Sequence, residues 1–138
     1  MKQIIKNLYF NTSNRKIIEI TKKVKDLLSR GEISNGLLNL SVLHTSCSLM
    51  IQENADNTVI MDIRSFLDKI APEEFNYFHN TEGPDDMPAH LKTLLTQTNL
   101  TLSIKEKELI LGSWQGIFLL EHRDANKKRN VFFHLIGD

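Results

Sequence analysis

The sequence predicts a single α+β domain that combines antiparallel strands with two or three helices. Short runs of apolar residues near both ends of the chain have the pattern of strands, and two stretches in between carry apolar residues at helical spacing. A length of 138 residues is the usual size of one domain, and no linker, repeat or low-complexity segment divides it. We therefore expect residues 1–138 to form one domain.

The first part of the chain predicts strands around one helix. Residues 2–10 alternate loosely, residues 11–14 (NTSN) predict a turn, and residues 15–20 (RKIIEI) predict a short strand or the approach to a helix. Apolar residues then recur at helical spacing from Ile20, and Gly31 predicts a helix end near Arg30. Residues 37–43 and 48–53 predict two partner strands, with His44 to Cys47 between them.

The middle of the chain predicts two further helices separated by a long loop. Asp56 is suited to cap a helix whose apolar stripe continues until Pro72. The stretch from Pro72 to Pro88 is rich in proline and carboxylates, and loops of this length are usually functional. A short helix should follow and reach Leu95, with Asp85 or Asp86 at its N-cap.

The last third of the chain predicts an antiparallel sheet. Four strand-like runs are separated by turn signals: residues 101–104 (TLSI), 108–114 (ELILGSW), 116–123 (GIFLLEHR) and 130–136 (NVFFHLI). The basic residues 127–129 (KKR) fall in the last of these turns and predict a solvated segment. Exposed sheet faces of this kind can also support a homo-oligomer.

Composition and charge limit the classes of function that the chain can have. The chain has 17 basic and 17 acidic residues, so no overall field attracts it to nucleic acid or to an anionic membrane. No apolar run is long enough for a signal peptide or a membrane span. The one cysteine, Cys47, has no partner within the chain and predicts a packed thiol in a reducing compartment. We expect a cytoplasmic protein without a nucleic-acid or membrane partner.

The densest group of polar residues is HNTEGPDDMPAH at residues 79–90. It brings His79, Glu82, Asp85, Asp86 and His90 within twelve residues, enough to hold a divalent cation. Imidazole favours zinc or a similar metal, whereas oxygen ligands favour magnesium or manganese, so the spacing leaves the metal open. The alternative is a helix cap with surface histidines.

Two other segments carry candidate site residues. His44 follows a predicted strand and precedes Thr45 and Ser46, whose hydroxyls can donate to a phosphate that Arg123 also contacts. Strand alternation places Glu121 and Arg123 on one face, so that they can act together, although a salt bridge at the rim is the alternative.

Five strings resemble one family in the same order along almost the whole chain. They are HTS at 44–46, QEN at 52–54, EGPDDMPAH at 82–90, GSWQGI at 112–117 and EHR at 121–123. The sequence resembles the YjbQ-like family, also called secondary thiamine-phosphate synthase. The resemblance implies a YjbQ-like fold, a largely antiparallel β-sandwich with helices, and a homotrimer whose sheets pack around the threefold axis.

The resemblance also implies an activity and roles for the residues that match. The expected reaction joins hydroxymethylpyrimidine diphosphate to thiazole phosphate and releases pyrophosphate, with a divalent metal (Mg or Zn) as cofactor. The expected roles are catalytic for His44, Glu82 and Glu121, metal-binding for His79, His90, Asp85 and Asp86, and substrate-binding for Thr45, Ser46, Asn54, Trp114, Gln115 and Arg123.

Two other functions fit the same residues. One is a zinc-type metal-dependent hydrolase, in which His44, His79 and His90 bind the ion and Glu82 or Glu121 is the general base. The other is a non-catalytic trimer that binds a small ligand, which would show thermal stabilisation by the ligand without turnover.

Overall fold

The computed structural model describes residues 1–138 and contains eight strands and three helices. In chain order these are β1 (Lys2–Thr12), β2 (Ile17–Glu19), α1 (Thr21–Arg30), β3 (Gly36–Val42), β4 (Cys47–Glu53), α2 (Asn57–Ile70), α3 (Asp86–Leu95), β5 (Asn99–Lys105), β6 (Glu108–Leu109), β7 (Gln115–Glu121) and β8 (Lys127–Gly137). The predicted α+β class is confirmed.

The strands form two antiparallel sheets. The larger has five strands in the order β1-β8-β3-β5-β6, and the smaller has three in the order β2-β7-β4. The first and last strands pair along their whole length, from Lys2 opposite Gly137 to Thr12 opposite Lys127. The two sheets make the predicted sandwich, and the chain is one domain.

A single large apolar core lies between the sheets. Leu40 of β3, Phe133 of β8 and Leu49 of β4 are almost completely buried in it, together with Leu28 of α1. Burying one such side chain contributes about 2 kcal/mol to the free energy of folding. The core therefore fixes the relative position of the strands that carry the polar residues described below.

The central strand of the small sheet is buried on both faces. Ile117 and Leu119 face the main core, while Phe118 and Leu120 pack against Leu67 of α2. A strand with two buried faces has few polar positions, which explains the uninterrupted apolar run in β7. Helix α2 thus covers the side of the small sheet that lies away from the main core.

Two helix starts use their aspartates differently. The Asp56 carboxylate accepts a hydrogen bond from the backbone N–H of Thr58 at 2.9 Å, which confirms the predicted cap of α2. Asp85 occupies the N-cap position of α3, but its side chain makes no capping hydrogen bond. Its carboxylate binds Arg123 instead, at 3.0 Å from Nε.

Two strand ends predicted for the last third were wrong. A strand over residues 108–114 was expected, but pairing stops at Leu109, since residues 110–114 cross from one sheet to the other. The crossing ends in a turn in which the Gln115 side chain accepts from the Gly112 N–H at 2.7 Å. Strand β7 ends at Glu121 rather than Arg123, and the side chain of Arg123 binds Asp85 at the start of α3.

The predicted turn at residues 127–129 was also wrong. Strand β8 begins at Lys127, and Arg129 is only 5% exposed. It lies in register with Val131 and Phe133 on the inward face of the sheet, so alternation takes its side chain into the interior.

None of the three helices has the length and apolar character that crossing a membrane requires.

Candidate metal centre

Three side chains converge where the long loop enters α3. Asp86 and His90 lie one helical turn apart on the same face, and His79 reaches them from the loop. The Nε2 atom of His79 lies 2.7 Å from Oδ2 of Asp86, and Nε2 of His90 lies 3.4 Å from the same oxygen. One ligand atom from each residue lies within 4.8 Å of the other two. Three of the four expected metal ligands are therefore brought together.

The backbone fixes which nitrogen of His90 carries the proton. Its Nδ1 lies 2.9 Å from the carbonyl oxygen of Thr45, and a carbonyl can only accept a hydrogen bond. Nδ1 is therefore the donor, and in the neutral ring Nε2 directs its lone pair towards the carboxylate of Asp86. This is the arrangement of a metal-ligating histidine, with its second nitrogen held by a carbonyl.

Arg123 holds the carboxylates at the start of α3. Its Nη1 lies 2.5 Å from Oδ1 of Asp86, its Nε lies 3.0 Å from Asp85, and its Nη2 donates to the backbone carbonyl of Glu82 at 2.8 Å. One oxygen of Asp86 is thus fixed by the guanidinium, and the other faces the histidines. The structure places Asp85 and Arg123 behind the three converging ligands, where Arg123 orients Asp86.

Both aspartates are ionised in this setting. Burial alone would raise the pKa of Asp85, but the N–H of Asp124 and the Arg123 guanidinium outweigh it and lower that pKa. Burial likewise opposes ionisation of Asp86, and its hydrogen bond with His79 and the charge of Arg123 leave its pKa below the usual value. The centre therefore presents a carboxylate at neutral pH.

Glu82 lies at the open edge of the cluster. One of its carboxylate oxygens is 2.9 Å from Nε2 of His79, and its side chain is 62% exposed. The carboxylate therefore reaches both the cluster and solvent.

The segment between β3 and β4 forms the neighbouring wall. His44 accepts a hydrogen bond at Nε2 from the backbone N–H of Asn130 at 2.7 Å, so Nδ1 carries the proton of its neutral ring. Burial, and then the positive charge of Arg129, lower the pKa of His44. A depression of about 350 Å³ lies beside this wall. Its lining is dominated by imidazole and threonine side chains, namely His44, Thr45, His90, Thr93, Leu94, Thr96 and Thr98.

Glu121 does not enter the cluster. Its carboxylate is completely buried and binds Arg129 through both oxygens, each at 2.5 Å. Thr12 and the backbone N–H of Arg123 donate two further hydrogen bonds to it. Burial would raise the pKa of Glu121, but these donors lower it. The arginine also donates to the carbonyl and hydroxyl oxygens of Ser46, and so holds the segment that carries His44 and Thr45.

Arg129 is the residue of this region that the sequence analysis missed. Its only signal was its position two residues before Val131 and four before Phe133, on the inward face of β8. The neighbouring lysines made the segment resemble a solvated turn.

Three expected substrate-binding residues lie at the opposite end of β7. Asn54 donates to Glu19 at 3.0 Å, Gln115 closes its own turn, and Trp114 is 65% exposed. Gln115 and Glu121 lie six residue steps apart along an extended strand, which corresponds to about 20 Å. The structure does not bring this group to the cluster within one chain.

Known proteins with similar sequences belong to one family. A UPF0047 protein of Synechocystis is 39% identical over 132 residues, covering 95% of this chain and 90% of that protein. The YjbQ protein of Salmonella typhimurium is 41% identical over 120 residues, covering 86% of this chain and 87% of that protein.

Solved structures have the same fold. A conserved hypothetical protein of Thermus thermophilus has a TM-score of 0.83 at 38% identity, covering 94% of this chain and 98% of that one. A YbjQ-like protein of Sulfolobus solfataricus has a TM-score of 0.91 at 22% identity, with 99% of both chains covered. The family model described as UPF0047 protein YjbQ-like matches residues 6–138. With its fold and sequence both matching, the chain belongs to the YjbQ-like UPF0047 family.

Proposed function

We propose that this chain is a metal-dependent hydrolase of small phosphorylated or amide substrates, with a zinc-type cation held by His79, Asp86 and His90. The orientation of His90 is the observation that carries this proposal. Because its Nδ1 donates to the Thr45 carbonyl, the lone pair of Nε2 faces an Asp86 oxygen 3.4 Å away. Two acceptors at this separation repel each other unless a proton or a metal cation lies between them.

The donor set favours zinc or a similar transition metal over magnesium. Magnesium selects oxygen ligands, while two imidazoles and one carboxylate suit zinc, iron or manganese. One oxygen of Asp85, a ligand type that would favour magnesium, is engaged by both Arg123 and the N–H of Asp124. Three protein ligands are also the usual number in a catalytic zinc site, where one position is left for the reaction.

The surrounding groups have the chemistry that hydrolysis needs. A zinc-type cation would supply Lewis-acid activation of the substrate and of water. Glu82 is exposed and adjacent to His79, so its carboxylate can take the proton of an attacking water. His44 can donate from Nδ1 to an oxygen of the substrate in the adjacent depression. Arg123 keeps Asp86 in position throughout.

The second candidate is the transfer reaction that the family resemblance implies. In that reaction a thiazole phosphate displaces pyrophosphate from hydroxymethylpyrimidine diphosphate. The hydroxyl-lined depression beside His44 and His90 favours it, because threonine hydroxyls donate to phosphate oxygens without crowding them. The guanidinium of Arg123 already binds three acceptors, so the diphosphate would depend mainly on the cation.

Metal analysis of purified protein tests the cation site. We expect about one zinc-type ion per chain in the wild type and loss of that ion in His90→Ala. The matched control is His134→Ala, because His134 lies on β8 and contacts Gln3 rather than the cluster. Equal metal content in the two variants, or no metal uptake by the wild type, would reject the centre.

Turnover assays separate the candidate reactions. The metal-loaded wild type, His90→Ala and His134→Ala are tested on phosphate ester and amide substrates and, separately, on both thiamine precursors with detection of pyrophosphate. Hydrolysis that His90→Ala loses supports the hydrolase, and pyrophosphate release lost in the same variant supports the transferase. Ligand-induced thermal stabilisation without turnover would instead identify a small-ligand-binding protein.

We also propose that the chain assembles as a homotrimer through the outer face of the five-stranded sheet. This face lies opposite the core and exposes Ile5, Tyr9, Leu37 and Leu43, each more than half accessible. Exposed apolar side chains on one sheet face favour association. Light scattering should give about three times the chain mass of 15.9 kDa, and Ile5→Asp should lower it while Met61→Asp, an exposed residue on α2, should not. A monomeric wild type would refute this assembly.

A further inference from the structure

The loop between α2 and α3 lines an open pocket that the sequence did not predict. Its volume is about 430 Å³, within the range of small-molecule sites. Phe75, Tyr77 and Met87 are its apolar lining residues, and Asn76 and Asn80 are neutral polar residues of the lining beside Glu73 and His79. The pocket therefore combines flat apolar walls with neutral groups that both donate and accept hydrogen bonds.

The pocket is contiguous with the candidate metal centre. His79 lines the pocket, and its Nε2 is also the atom that lies 2.7 Å from Asp86. The His79 and His90 rings are neighbours, with centroids 5.5 Å apart. A small molecule in the pocket would therefore have one end beside the metal ligands.

The loop that forms the pocket is held at several points. The hydroxyl of Tyr77 donates to the carbonyl of Pro72 at 2.7 Å, and Arg123 donates to the carbonyl of Glu82 at 2.8 Å. The Glu73 carboxylate, which also lines the pocket, pairs with Arg15. These contacts keep the pocket formed and neutralise the one carboxylate in its wall, so its chemistry does not select a strongly charged ligand.

Two neighbouring aromatic rings of the pocket favour a planar ligand. Phe75 is 64% exposed, and its ring centroid lies 5.0 Å from that of Tyr77 with the two planes tilted by 50°. Exposed aromatic rings gain most from a flat partner that covers them. Asparagine amides can pair with a ring edge in which a donor lies next to an acceptor.

We propose that this pocket binds the ring of the substrate, a neutral planar heterocycle of the nucleobase type, with its reacting group directed towards His79. Phe75 and Tyr77 cover the ring, and Asn76 and Asn80 bind its polar edge. The inference rests on the proposed function for the direction of the substrate, because His79 is shared by the pocket and the cation site. The binding of the ring itself requires no metal.

Cytosine binding to metal-free protein tests the pocket. We would measure dissociation constants by ligand-observed NMR for the wild type, Phe75→Ala and Asn80→Leu, with benzene as a ring that lacks the polar edge. Loss of stacking or of the edge contact should weaken cytosine binding about tenfold in each variant. The matched control is Phe66→Ala, an exposed aromatic residue on α2 outside the pocket, which should bind as the wild type does.

The outcomes separate this inference from the proposed function. Absence of cytosine binding to the wild type, benzene binding as tight as cytosine, or unchanged affinity in both Phe75→Ala and Asn80→Leu would overturn the pocket assignment. His90→Ala, which lies outside the pocket, should lose the cation and keep cytosine binding. Cytosine binding without metal uptake would support the pocket assignment and refute the proposed metal-dependent hydrolase. Metal uptake without cytosine binding would refute the pocket assignment alone.

Discussion

Replacing Arg129 with methionine should destabilise the protein strongly, even though the change lies outside the candidate cation site. Arg129 and Glu121 form a buried pair, with no exposure of the Glu121 side chain and 6% exposure of the Arg129 side chain. The variant leaves a buried carboxylate with donors only from Thr12 and the backbone of Arg123. The remaining hydrogen bonds do not compensate a full charge away from water.

The expected loss in the free energy of unfolding is about 3–5 kcal/mol, the usual cost of removing one partner from a buried pair. For a domain of this length, each kcal/mol lowers the melting temperature by about 3–4 °C, so the variant should melt about 10–20 °C lower. A total stability of about 7–20 kcal/mol is typical of this size, so the variant is expected to remain folded in the cold.

The loss should also depend on pH in a defined direction. The folded-state pKa of Glu121 is lowered in the wild type, so the stability from its ionised form is present at neutral pH and is lost as pH falls through that pKa. In Arg129→Met, protonation removes the unpaired charge of Glu121, so the folded variant becomes more stable as the pH falls. The difference between wild type and variant should therefore narrow as the pH approaches 4, below the ordinary glutamate value of 4.5.

Urea and thermal unfolding of three proteins provide the assay: wild type, Arg129→Met, and the double variant Glu121→Leu/Arg129→Met. The double variant should recover about half of the loss or more, because it removes the unpaired charge together with its partner. A single variant within about 1 kcal/mol of the wild type, or a double variant no more stable than the single, would refute the assignment of a buried ion pair.

Three other changes have defined outcomes. Arg123→Met should weaken metal binding about ten- to a hundredfold in a competitive chelator titration, because Asp86 loses its orienting partner; an unchanged affinity would contradict this role. Cys47 should react with a thiol reagent at pH 8 only after unfolding, since burial raises its pKa to about 12; rapid reaction of the native protein would show that it is accessible. Gly36→Ala should cost more than about 3 kcal/mol in urea unfolding, because a Cβ atom would lie 2.1 Å from the carbonyl oxygen of Ile136; a loss below about 1 kcal/mol would mean that the strands separate easily.

Local patterns predicted the elements whose causes are local. Helix α2 was correct at both ends, because the Asp56 cap and Pro72 are signals that act within one or two turns. The run from Glu108 to Trp114 was not, because an apolar stretch has the same composition in a strand and in a crossing between sheets. Only the topology, which places β6 and β7 in different sheets, distinguishes the two.

The candidate site likewise combines contacts that follow from sequence spacing with contacts that depend on the tertiary fold. His79, Asp86 and His90 lie within twelve residues, and Asp86 and His90 share a helix face, so their proximity follows from sequence spacing. The contact of Arg129 with Ser46 joins positions 83 residues apart and depends on the pairing of β3 with β8. No local sequence pattern reveals this contact. The basic neighbours of Arg129 instead predicted a solvent-exposed turn.

The imidazole of His44 completes a backbone ladder. Beyond the last register pair of β3 and β8, Val42 with Val131, the N–H of Leu43 donates to the carbonyl of Asn130, and the N–H of Asn130 donates to His44. A side chain thus takes the place of the next peptide carbonyl, and His44→Ala would leave an unpaired strand N–H as well as an empty position in the site. A loss of activity in His44→Ala would therefore have a structural explanation as well as a chemical one. The side-chain carbonyl of glutamine can accept the same hydrogen bond, so His44→Gln isolates the chemical contribution of the imidazole ring.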